Sequence, residues 1–82
     1  MPHFTKRVIT TIGLRTFYFN RIYTVNGAKY HVSVQDGASY YFMMIERNGN
    51  WLIDGTKERL PYWVMEAEKE LENAIHEHLE KG

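Results

Sequence analysis

The chain has 82 residues, no cysteine, and ten basic side chains against ten acidic ones, for a formal net charge of zero. That length sets one small domain, residues 1–82, and the missing thiols exclude disulfide staples and thiolate metal sites. The longest apolar run, residues 40–45, is far too short to cross a bilayer, and MPHFTKRVIT lacks the continuous apolar stretch of a signal peptide. A soluble, cytoplasmic protein with no membrane partner is therefore expected.

The zero net charge hides a gradient. Residues 1–35 carry Lys6, Arg7, Arg15, Arg21 and Lys29 and no acid, whereas residues 61–82 carry six glutamates against Lys69 and Lys81. Such asymmetry fits internal or intermolecular complementarity, or an anionic partner for the basic half. A domain this small buries about 60–65% of its unfolded surface and has a net stability of about 4–12 kcal/mol. Without staples it depends on aromatic side chains, 15% of the chain, or on self-association.

In chain order, residues 1–15 are rich in β-branched side chains and fit either a fifth strand or a flexible arm, with Gly13 as the break before the first meander strand. Asn26-Gly27, Asp36-Gly37 and Asn48-Gly49 are hairpin signals. They delimit four strands at about residues 16–25, 28–35, 40–47 and 50–54, which form an antiparallel meander. Pro61 suits the first turn of a helix. From Tyr62 to about Glu80 the apolar period becomes helical, with Val64, Ala67, Leu71, Ala74, Ile75 and Leu79 on one stripe. The fold class is α+β: a four-stranded antiparallel β-meander, with or without a fifth N-terminal strand, and one C-terminal amphipathic helix packed on one face. This β-β-β-β-α order is similar to one repeat of the PUR family of single-stranded nucleic-acid binders, a likeness of element order without a shared motif.

Strand parity decides which face is the core, because a one-residue register change flips every side chain. A two-residue Asn48-Gly49 turn pairs Glu46 with Trp51 and Met44 with Ile53. A three-residue loop at Asp36-Gly37-Ala38 sets Val32 opposite Phe42. A three-residue loop ending at Gly27 pairs Ile22 with Tyr30 and Tyr18 with Val34, at the cost of Asn20 facing the core. A two-residue loop would instead bury Phe17, Phe19 and Tyr23, at the cost of Arg21. The first choice leaves Phe19, Arg21, Tyr23, Lys29, His31, Tyr41, Met43, Ile45 and Leu52 on a second face too apolar to be left in water without a reason. Trp63, roughly 90–100° off the helix stripe, joins them as an interface candidate.

Three occupants fit that face. The N-terminal segment could fold over it with Phe4, Val8, Ile12 and Leu14. A second copy could pack on it as a homodimer. Single-stranded nucleic acid could stack on its rings, with Arg21 and Lys29 on the phosphates. No chemistry-bearing constellation competes. His76 and His78 are two apart on a helix and project to opposite sides, so they do not chelate one ion, and no metal or cofactor is expected. His31 and Ser33 share a strand face without a recognisable third partner. The expected function is a small non-enzymatic protein-interaction module, self-associating through the second sheet face. The alternative is a single-stranded nucleic-acid-binding module using a basic-aromatic sheet face.

Overall fold

The computed structural model describes residues 3–54 and 59–81. Five strands, β1 (His3–Thr10), β2 (Gly13–Thr24), β3 (Gly27–Asp36), β4 (Ala38–Arg47) and β5 (Asn50–Asp54), form one antiparallel sheet in sequence order. Two helices come after them, α1 (Tyr62–Met65) and α2 (Glu68–Lys81). The N-terminal segment is thus a fifth strand, paired to β2 along its whole length from His3–Asn20 to Thr10–Gly13. It extends the sheet sideways rather than folding over it. Phe4 and Val8 lie on the helix side, where Val8 is buried, and Leu14 is 45% exposed. The N-terminal cover considered for the second face is therefore absent.

The first two hairpins share one turn device, which sets the register of the long β2 strand. In Thr10-Thr11-Ile12-Gly13, the Thr10 hydroxyl accepts the Ile12 N–H at 3.2 Å and donates to the Gly13 carbonyl at 2.7 Å. Thr24-Val25-Asn26-Gly27 repeats it: the Thr24 hydroxyl accepts the Asn26 N–H at 3.2 Å and donates to the Gly27 carbonyl at 2.7 Å. Both closing glycines have positive φ, 107° and 112°, which a side chain would strain. The turn is centred on Val25-Asn26, with Gly27 already paired to Thr24. This sets Arg21 opposite Tyr30, Phe19 opposite Val32 and Phe17 opposite Val34.

The expected pairing of Ile22 with Tyr30 is off by one residue, so every β2 side chain is turned over. Phe17 and Phe19 go to the core, while Tyr18 and Ile22 go outward. Thr24→Ala removes both hydroxyl bonds and is expected to cost about 1 kcal/mol. A lower urea midpoint with an unchanged slope would report it, and an unchanged midpoint would mean that Gly27 alone sets the turn.

The remaining two hairpins have the expected register. Gly37, at φ 75°, lets Asp36 pair with Ala38 and sets Val32 opposite Phe42. Asn48 and Gly49, both at positive φ, form the tight turn that pairs Glu46 with Trp51 and Met44 with Ile53.

The helical stripe packs into the hollow of the curled sheet. Val64, Ala67, Leu71, Ala74 and Ile75 are buried against Tyr30, Val32, Val34, Phe42, Met44 and Trp51, while Leu79 stays 37% exposed. Pro61 stands just before α1 in extended conformation, and its carbonyl accepts the Val64 N–H at 3.0 Å. The expected single helix is broken at Glu66-Ala67, where Ala67 bonds back three residues to Val64 at 3.0 Å. Trp63 is a core residue, not an interface residue. It is 5% exposed and meets Phe17 and Tyr40 edge-on at 6.5 and 6.0 Å between ring centres.

The outer edge of β5 is closed by side chains of α2. The Trp51 N–H donates to Glu72 Oε2 at 2.9 Å, and the Ile53 N–H donates to Glu68 Oε2 at 2.8 Å. The spacing matches: residues four apart on a helix rise about 6 Å, and residues two apart on a strand span about 6.8 Å. Two glutamates thus satisfy two edge donors that would otherwise pair with another strand.

Candidate interaction face

The antiparallel registers line up the outward side chains in rows across the sheet, three of which form the middle of the face. The first row runs Thr5, Tyr18, Ser33, Tyr41, and the second runs His3, Asn20, His31, Met43, Asp54. The third runs Ile22, Lys29, Ile45, Leu52. Lys29, His31, Tyr41, Met43, Ile45 and Leu52 therefore sit together on the outer face, as expected from the sequence. Tyr18 and Ile22, expected in the core, join them.

Four expected members do not belong there. Phe19 is 1% exposed on the helix side, stacked on Phe4 at 4.4 Å. Arg21 lies on the same side, its guanidinium 5.8 Å from the Tyr30 ring centre and 5.3 Å from that of Tyr23. Tyr23 shares that parity but is exposed near the hairpin tip, and Trp63 is buried as described. The common cause for the three β2 residues is the Thr24 turn. The alternation of Phe17 and Phe19 was the signal that could have revealed it.

Tyr18 and Tyr41 are each about half exposed and stand on β2 and β4, with the small Ser33 between them on β3. Two strand spacings separate the rings by about 9.5 Å. The result is a shallow groove completed by Gln35 and Ser39. His31 stacks on Tyr41, with ring centres 5.7 Å apart and planes 13° apart. Arg7 and Arg47 flank the apolar rows, Lys29 stands within the third row between Ile22 and Ile45, and Asp54 is the one acid on this face among the described residues.

Titratable groups elsewhere serve the fold. Burial pushes the Tyr30 hydroxyl pKa up, and the neighbouring Arg21 charge opposes this. The Glu72 carboxyl is held below its usual range, first by the Trp51 N–H and then by Lys69 and His76, with burial opposing. His76 Nε2 lies 3.6 Å from Glu72 Oε2, four residues earlier on the same helix. His78 stacks on Phe4 at 4.1 Å, so it sits at the boundary of the core. Among the described residues, no three His, Asp or Glu side chains gather where they could hold a metal ion, and no helix is long and apolar enough to cross a membrane. No protein-family model, curated protein or solved structure matches this chain.

Proposed function

We propose that this protein is a non-enzymatic protein-interaction module that forms a two-fold homodimer through the outer face of its sheet. The observation that carries this reading is the apolar and aromatic surface around Tyr18, Tyr41, Met43, Ile45 and Leu52, over which no element of the described residues lies. Both helices lie on the opposite side of the sheet, and β1 extends the sheet instead of covering it. A two-fold contact is self-complementary, so each copy offers the same ridges and groove. Tyr18 and Tyr41 supply the ridges, and the Ser33 floor takes a ring from the other copy. Aligned packing of two such faces leaves Arg7 and Arg47 at the rim, where like charges stay hydrated.

Light scattering across a concentration series tests this directly. A dimer is expected, converted to monomer by Tyr41→Asp or Met43→Asp with circular dichroism unchanged. A strict monomer at millimolar concentration overturns the reading.

One observation favours a second reading, single-stranded nucleic acid. The outer face combines three rings, Tyr18, His31 and Tyr41, with three cations and one acid. Stacking and phosphate contact need that combination. A labelled oligonucleotide titrated at two salt concentrations decides it: binding should weaken with salt and with Lys29→Ala. Absence of low-salt binding removes this reading without touching the first.

A further inference from the structure

The two edges of the sheet differ in a way that concerns a partner. The β5 edge is occupied by Glu68 and Glu72. β1 is the opposite edge, eight residues long, without proline and in unbroken register with β2. Among the described residues no backbone segment pairs with its outer side. The geometry points to β1 as a strand-addition site for an extended acidic–apolar segment of a partner protein. This surface is the backbone edge, and the inference does not depend on dimerisation through the outer face.

Charge selects the occupant. β1 carries Lys6 and Arg7 and no acid. Lys6 is tied to Glu77 at 3.1 Å, whereas Arg7 is exposed and makes no hydrogen bond or ion pair among the described residues. A second copy is a poor occupant. Antiparallel pairing of β1 with itself about a two-fold axis keeps each face of the sheet on its own side, so the axis passes through a residue pair. Centred near the middle of the strand, it sets Lys6 opposite Lys6 or Arg7 opposite Arg7, and like charges directly opposite are destabilising.

Side-chain pattern narrows the segment further. Ile9 is 81% exposed and lies two residues from Arg7 on the same outward side, beside the partly exposed Leu14 across the β1–β2 pair. An antiparallel added strand would place an acid opposite Arg7 and an apolar side chain, two residues earlier in its own sequence, opposite Ile9. The expected recognition pattern is apolar, any residue, acidic, in extended conformation.

The test uses the full chain and two short fluorescent peptides, one repeating valine-serine-glutamate-serine and one repeating valine-serine-lysine-serine, so that valine and the charged residue alternate along one face. The glutamate peptide should bind about tenfold or more tighter by anisotropy, with affinity falling at high salt. Arg7→Glu should reverse the preference, and Arg7→Gln should reduce it, both with unchanged circular dichroism. Amide hydrogen exchange should slow in β1 and not in β5 on binding. Equal binding of both peptides, no binding of either, protection elsewhere than β1, or a dimer protected at β1 without peptide would each overturn the proposal.

Discussion

Trp63→Ala is expected to lower the free energy of unfolding by about 3–5 kcal/mol, a large share of what a domain of this size holds. The indole is 5% exposed and wedged edge-on between Phe17 of β2 and Tyr40 of β4. Its removal leaves a cavity where α1 meets the sheet, and a backbone held by Pro61 and by the stripe below it collapses only partly into that space. The melting temperature should fall by roughly 12 °C or more. Urea denaturation gives the free energy, and light scattering run beside it separates the two roles Trp63 could have. A loss of stability with association retained in the folded fraction identifies a core residue. A dimer lost with a stability change below about 1 kcal/mol would return Trp63 to the interface.

Glu72→Ala is expected to cost about 2–3 kcal/mol, because a buried N–H loses a charged acceptor. The carboxylate accepts from Trp51 at 2.9 Å and from Lys69 at 3.2 Å, and its side chain is 7% exposed. Glu72→Gln keeps an oxygen for Trp51 and should lose about half as much. The sign of the pH dependence is set by the lowered pKa. The unfolded chain binds this proton more tightly than the folded one, so the stabilisation is complete above the ordinary value of 4.5 and is lost as pH falls through the lower folded value. Stability of the native chain should therefore decline below about pH 4.5, and the Gln variant should show a shallower decline there. An identical acid limb in both proteins would remove Glu72 from this role. Opening the β5 edge should also promote edge-to-edge association of Glu72→Ala, visible as slow growth in scattered light.

Several features were legible in the residues because they depend on local chemistry. Asn48-Gly49 demands two positive φ angles, which fixes the register of Trp51 and Ile53. The stripe from Val64 to Ile75 repeats at helical spacing and could bury only one side. The second row of β4, Tyr41, Met43 and Ile45, faces outward by the parity that places Phe42 and Met44 inward.

Other features were not legible, each for a physical reason. In the Thr24-Val25-Asn26-Gly27 turn, the threonine hydroxyl and Gly27 close a two-residue loop over Val25-Asn26 in place of the expected three-residue loop, which moves the register by one residue. One residue is enough to exchange Phe19 for Tyr18. Arg21 goes to the core side because the rings of Tyr23 and Tyr30 receive its guanidinium, and the Tyr30 ring is brought beside it only by the β2–β3 pairing. Glu68 and Glu72 look like solvated helix charges. Only a strand lying alongside α2 turns them into acceptors for Trp51 and Ile53.

The sequence by itself determined the four meander strands, the C-terminal helical stretch with its amphipathic stripe and two of the four hairpin registers, since turn geometry and periodicity act over a few residues. The tertiary structure decided which aromatics of β2 are core, what β1 does, and how the two edges differ. Those outcomes depend on contacts between residues far apart in the chain, such as Trp51 with Glu72 and Phe4 with His78, whose energies no local pattern encodes.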